Sequence, residues 1–206
     1  MSKQTVSKQT RSATGRRRNE SVRQAVLDAA YALLEEGGIA KFSIDAVARR
    51  SDVARTTIYR WWPTKSILAI DSFAEHFEPR VETVHTDDPD GDFRNLVLSF
   101  AAALAGPAGR VAASVIAHAQ ADEETQRLFR EHFSEPLRRE SAKVLQSGIA
   151  RGRFREDLDV PRVIDAFVGA AYLRLLLGSP LSTSWAEALC DTVLDGCHTA
   201  PADPVE

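Results

Sequence analysis

An all-α fold is what this chain predicts, on three observations. Apolar residues recur at helical spacing from Val22 to Val193. No segment alternates apolar and polar residues in the two-residue rhythm of a half-buried strand. Residues able to cap helices are followed, a helix length later, by Gly or Pro breaks. With 206 residues the chain can build one sizeable core, or a small domain joined to a larger one. The pattern gives about nine helices: three in an N-terminal head, one linking helix, and the rest in a body.

Residues 1–18 are dominated by Gln, Ser, Thr, Lys and Arg and hold almost no large apolar group, so they read as a disordered basic arm. From Asn19, a capping residue, Val22, Val26, Ala29, Ala30, Leu33 and Leu34 repeat at helical spacing until Gly37-Gly38 ends the run. Ser43 then caps a short second helix, "IDAVARR", with Asp45 favourably placed in its first turn. After the break at "SDV", the stretch "ARTTIYRWW" resumes the period with Val53, Ile58 and Trp62 toward one side, and Pro63 stops it. Two short helices about a turn apart, propped by a longer one, make a helix-turn-helix over residues 19–66.

Thr64 caps a fourth helix through "KSILAIDSFAEHFEPRV", whose buried stripe is Ile67, Leu68, Ile70, Phe73, Ala74 and Phe77. The run "HTDDPDGD" reads as a solvated acidic loop, because it lacks the ligand spacing and terminal Glu of a calcium loop. Helical stretches follow at roughly 92–105, 110–121, 123–151, 160–178 and 183–197, completing a body over 67–200. The end, 201–206, is expected to be a disordered tail.

The formal net charge of −3 conceals an asymmetry. Residues 1–66 hold 13 Lys/Arg against 6 Asp/Glu, whereas residues 67–206 hold 13 against 23. A basic head on an acidic body suits phosphate binding at one end, through counterion release, although a basic tail on an ordinary acidic domain would count the same way. Cys190 and Cys197 match no zinc or redox spacing and fit a reducing cytoplasm. The basic N-terminus has no apolar stretch of a secretory signal, and the longest apolar run, "AFVGAAYLRLLLG", is too short for a membrane span and contains Arg174. Five histidines are scattered, with no defensible Ser-His-Asp or Cys-His order and no metal spacing. The residues therefore speak against an enzyme and call for no cofactor and no metal.

Residues 20–77 resemble the DNA-binding domain of the TetR (tetracycline-repressor-like) transcriptional regulators. The resemblance is carried by "FSIDAVARRSDVARTTIYRWWPTKSIL": a hydroxyl cap, an Ala-rich second helix, a turn, then Ile58-Tyr59, the aromatic pair Trp61-Trp62 and Lys65. It covers about a third of the chain; the rest resembles the family in layout. Three positions depart from the pattern. Asp52 stands where Gly is usual and must accept a left-handed conformation, Ala54 replaces the hydroxyl cap of the third helix, and Thr56 replaces a common Gly.

The resemblance implies that the third helix enters the major groove of double-stranded DNA, presenting Arg55, Thr56, Thr57 and Tyr59, with Arg60 at the margin. Arg55 suits guanine O6 and N7, and threonine methyls suit thymine methyls. Lys65 and the Ser43 end of the second helix are expected at phosphates, and the arm's Arg16, Arg17 and Arg18 along the minor groove or the backbone. Bland alternatives stand beside these: Thr57 can bond its own helix, and Arg16–Arg18 can be a solvated tail. In the aromatic pair, Trp62 shares a side with Ile58 and is expected in the core. Trp61, a third of a turn away, either shields the head's edge with its N–H toward a phosphate or braces the fourth helix.

Specific reading of a palindromic operator calls for a homodimer. The resemblance implies a four-helix interface built from the last two helices, with Phe167, Ala171, Leu175, Trp185, Leu189 and Val193 as its residues; the alternative is that both helices finish the protomer's own core. Leu96, Phe100, Leu104, Val115, His118, Phe129 and Phe133 are the expected lining of an apolar effector pocket, again with packed core as the alternative. The whole reads as a cytoplasmic, homodimeric transcriptional repressor released by a small, largely apolar effector. The competing reading is a DNA-binding regulator without such an effector.

Overall fold

A computed structural model describes residues 6–198, with side chains from residue 19 onward. The tail at 201–206 and the side chains of Arg16, Arg17 and Arg18 lie outside the described residues. The described residues form helices α1 (Val6–Lys41), α2 (Ile44–Ser51), α3 (Arg55–Trp61), α4 (Lys65–Phe77), α5 (Pro89–Ala105), α6 (Pro107–Ala119), α7 (Glu123–Phe129), α8 (Glu135–Ala150), α9 (Val160–Leu176) and α10 (Thr183–Asp195). A π-helical turn, Arg130–Ser134, joins α7 to α8. The two thus continue each other as the single stretch expected there, and the all-α reading stands.

Several boundaries differ from expectation: α4 ends at Phe77 rather than Val81, α6 starts at Pro107 rather than near 110, and the starts of α1 and α5 also move. The backbone of α1 is helical from Val6, well before Asn19. Lys, Gln and Arg are good helix formers in their own right, an influence that an argument from burial overlooks. Helix α5 starts at Pro89, inside the expected acidic loop. Pro89 fits a first turn, and Asp90 and Asp92 favour the positive end of the helix dipole. Asp92 is buried, accepting the Thr86 backbone N–H and hydroxyl, each at 2.7 Å.

Helix α1 breaks where the glycine pair predicts, at Gly38, whose φ of 62° is left-handed. The next amide, Ile39, donates to Ser114 Oγ on α6 at 2.9 Å, so the break is seated on the body. The helices α1, α4 and α6 pack together, and α5 packs against α6, α8, α9 and α10. Tyr31 of α1 stacks on His76 of α4 at 4.1 Å, which ties the head to the linking helix. The π-helical turn precedes Pro136, which has no N–H to give the carbonyl of the preceding turn. The Glu135 N–H reaches the Arg130 carbonyl instead.

A chain of aromatic rings runs through the body. Phe133 of the π-helical turn lies 4.7 Å from Phe73 and 5.3 Å from Phe77 on α4. Phe77 meets Phe100 of α5, and Phe100 meets Phe167 of α9, at 5.9 Å each. Among the described residues, no single helix is long and apolar enough to cross a membrane.

Candidate nucleic-acid interface

The geometry of the head follows from its capping chemistry. Ser43 Oγ accepts the Ala46 N–H at 3.2 Å, starting α2, and its own hydroxyl hydrogen stays available. Asp52 ends α2 in the left-handed region, at φ 54° and ψ 35°. Asp tolerates that conformation better than most residues, and its backbone N–H is satisfied by the Ala48 carbonyl. Ala54 offers α3 no side-chain cap. The turn closes without one, through Val53 N–H to Ala48 O at 3.3 Å and the burial of Ile58.

This turn orients α3 so that its two sides differ. Ile58 is fully buried and Trp62 is 2% exposed, while Arg55, Thr56, Tyr59 and Arg60 are exposed and Thr57 is half-buried. Lys65, also exposed, is the first residue of α4, started by Thr64 Oγ1 accepting the Ile67 N–H. Of the expected DNA-facing set, Arg55, Thr56, Tyr59, Arg60 and Lys65 are exposed, whereas Ser43, Thr57 and Trp61 are half-buried and the side chains of the arm lie outside the described residues. Arg49, near the end of α2, is exposed and has no carboxylate partner among the described residues. Sequence reasoning passed over it, although a basic residue in the last turn of a helix-turn-helix was the available signal.

The tryptophan pair divides as expected, by a different route. Helix α3 ends at Trp61, and Trp62 is an extended C-cap residue rather than the next helical position. Its ring turns inward, and its Nε1 donates to Asp71 Oδ2 on α4 at 2.9 Å. Asp71 Oδ1 in turn lies 2.8 Å from His132 Nδ1 on the π-helical turn. Trp61 stays half-buried, edge to face with Trp62 at 5.6 Å, with the Arg60 guanidinium 5.7 Å from its ring centre. Asp45, another residue that sequence reasoning left out of the site, forms an ion pair with Arg55, its Oδ1 2.8 Å from the Arg55 Nε.

In the body, Leu96, Phe100, Leu104, Val115 and Phe133 are buried and packed, whereas Phe129 and His118 are half-buried. A surface trough of about 310 Å³ between α5 and the start of α10 is lined by Asn95, Leu98, Ala102, Thr183 and Ala186. It shares Leu181 and Ser182 with a second of about 420 Å³, lined also by Leu104, Arg110 and Leu175. Of the expected pocket residues only Leu104 reaches either.

The expected interface set needs correction. Phe167 and Ala171 are 1% exposed and face the protomer's interior, where Phe167 packs on Phe93 and Phe100. Leu175, Trp185, Leu189 and Val193 are half-buried. The outward side of α9 is instead Ala166, Gly169, Leu173, Leu176 and, just beyond, Leu177, which is 72% exposed. A helix apolar on both sides gives no internal signal of which stripe faces its own core.

Two family profiles match the chain: "Bacterial regulatory proteins, tetR family" over residues 26–70, and "Tetracyclin repressor-like, C-terminal domain" over residues 83–193. The chain belongs to the TetR family of transcriptional regulators. This TetR-family chain is 32% identical over 189 residues to the HTH-type transcriptional regulator YdeS of Bacillus subtilis, covering 91% of itself and 96% of that protein. It is similar to the crystal structure of the TetR family transcription regulator SCO0332, with a TM-score of 0.76 and 33% identity over 87% of this chain and 99% of that one. It also shares its fold with the regulator FadR of Bacillus subtilis, solved in complex with stearoyl-CoA, at a TM-score of 0.67 and 18% identity over 85% and 99% of the two chains.

Proposed function

We propose that this TetR-family regulator is a cytoplasmic repressor that binds a palindromic operator as a homodimer, with α3 of each protomer in the major groove. The observation that carries this is the division of α3: Ile58 is withdrawn into the core while Arg55, Thr56, Tyr59 and Arg60 are left outside. Arg55 and the threonines read base edges, with Thr57 at the margin because it is half-buried. Tyr59, Trp61, Lys65 and the Ser43 hydroxyl contact sugar and phosphate, and these contacts set the register without reading sequence. The arm, with Arg16, Arg17 and Arg18, adds minor-groove or backbone contacts.

A homodimer places two such heads on two half-sites. Leu173, Leu176 and Leu177 form the apolar core of its interface together with the half-buried Trp185, Leu189 and Val193 of α10. A small, largely apolar effector releases the operator by favouring one spacing of the heads. Its site involves the rings about Phe100 and Phe133, which touch α4 through Phe73 and Phe77.

The close packing of those rings favours one second reading, a regulator that binds DNA without a small effector. A mobility-shift assay on DNA flanking the protein's own gene, repeated with apolar candidate ligands, separates the two. Specific binding that no ligand weakens supports the second reading. Absence of specific binding to any fragment at moderate salt would sink both. Specific binding unchanged in Arg55→Ala and Lys65→Ala would show that α3 is placed wrongly.

A further inference from the structure

The Asp45–Arg55 pair lies on the exposed side of α2 and α3, where Arg55 is expected to meet bases. Arg55 is the first residue of α3 and Asp45 lies in the first turn of α2, with Nε and Oδ1 2.8 Å apart across the helix-turn-helix. The side chains are 58% and 52% exposed. An ion pair so open to water adds little to stability. Its effect on the guanidinium is larger. An arginine carries five N–H donors in a rigid fork, and its flexible stem lets that fork reach phosphates as readily as bases. Asp45 Oδ1 faces the Nε side of the guanidinium as an ion pair, and the two terminal nitrogens have no hydrogen-bond partner among the described residues.

We propose that Asp45 is a positioning residue that determines specificity: by holding the Arg55 Nε, it commits the two terminal nitrogens to guanine O6 and N7. The proposal rests on the assignment of α3 as the reading helix. Three effects act together. Engagement of Nε removes the side-on geometry, which uses Nε and one terminal nitrogen, and leaves the end-on geometry that matches guanine bidentately. Fixing the stem before DNA arrives lowers the conformational cost of the base contact relative to a wandering phosphate contact. The carboxylate also repels phosphate oxygens, so the paired arginine gains less from the backbone than a free one.

The test uses the full-length protein and duplexes selected by it from a random pool. Competition binding then compares the four bases at each position, for wild type, Asp45→Asn, Arg55→Ala and the double variant. Wild type is expected to prefer guanine at one position per half-site by about tenfold or more. Arg55→Ala should erase that preference. Asp45→Asn should reduce it about fivefold while leaving binding to random DNA equal or tighter and the melting temperature unchanged. In the Arg55→Ala background, Asp45→Asn should have no further effect on base preference. Full guanine preference in Asp45→Asn, with its loss in Arg55→Ala, would overturn the role of Asp45. So would an equal effect of Asp45→Asn with and without Arg55, since Asp45 would then act on the base by itself. No change of any base preference in Arg55→Ala would instead overturn the assignment of the reading helix.

Discussion

Trp62 offers the sharpest test of how the head is held, because its ring and its N–H can be removed separately. The side chain is 2% exposed, and its Nε1 donates to Asp71 at 2.9 Å. Trp62→Ala removes the whole ring from a closed site and should cost about 3–5 kcal/mol. Trp62→Phe keeps most of the apolar contact but leaves Asp71 Oδ2 without its donor, and hydrogen bonds to charged groups contribute about 1.5–3 kcal/mol. The Asp71 side chain is 23% exposed, so water offsets part of this and the lower end of the range applies. Trp61, half-buried and packed only edge-on, should cost no more than about 2 kcal/mol as Trp61→Ala. Urea titrations followed by far-UV circular dichroism at one fixed protein concentration measure all three, since any dimer makes the midpoint depend on concentration. At full folding, Trp61→Ala should weaken DNA binding about equally across sequences, as loss of a backbone contact does. Equal costs for Trp61→Ala and Trp62→Ala, or a Trp62→Phe variant as stable as wild type, would overturn this account of the pair.

Three further outcomes are expected. Leu173→Glu with Leu177→Glu, at positions 60% and 72% exposed, should leave helicity intact while sedimentation shows a monomer and specific DNA binding is lost; a persistent dimer would move the interface elsewhere. Burial pushes the Cys190 thiol up to about 11, against a smaller opposing effect of Arg94, and raises Cys197 too, so neither should react with thiol reagents at about pH 8 until urea unfolds the chain. Prompt labelling of the folded protein would contradict this. The Arg153 guanidinium, aided by His198, holds the Asp90 carboxyl below the usual carboxylate range, against a smaller effect of burial. A lowered folded value stabilises fully above the unfolded value of about 4 and is lost as pH falls through the folded value. Wild type should therefore exceed Asp90→Asn by about 1 kcal/mol at neutral pH, and urea titrations should show the gap closing below about pH 4.

The parts legible from sequence were those written in local chemistry. The caps Ser43 and Thr64, the break at Gly38 and the left-handed Asp52 each depend on residues within a few positions, and the structure places all four as expected. The exposed side of α3 follows from the inward side set by Val53, Ile58 and Trp62 together with the family resemblance, and Thr57 alone of the four residues expected to face the groove is half-buried. What depended on distant neighbours was harder to read. Phe167 and Ala171 are apolar and correctly spaced, yet so are Leu173 and Leu177, and the positions of α5 and α8 decide which pair faces inward. The Asp45–Arg55 contact spans a turn whose closure had to be seen before a carboxylate in one helix could be matched to a guanidinium in the next. Trp62 is buried as its spacing predicts, but an extended cap rather than helical phase turns it inward.

The seating of the head has a consequence for building chimaeras. The Ile39 amide rests on Ser114, Ser66 on Thr125 at 3.0 Å, and Asp71 on His132. In each case one member belongs to the N-terminal helices and the other to the body. Grafting these four helices onto a foreign body, or another protein's onto this one, would remove the partners of an amide and a hydroxyl at the seam and leave Asp71 with Trp62 but without His132. New operator specificity is therefore easier to obtain by altering the outer side of α3 than by exchanging the head, because the first change leaves all three of these contacts in place.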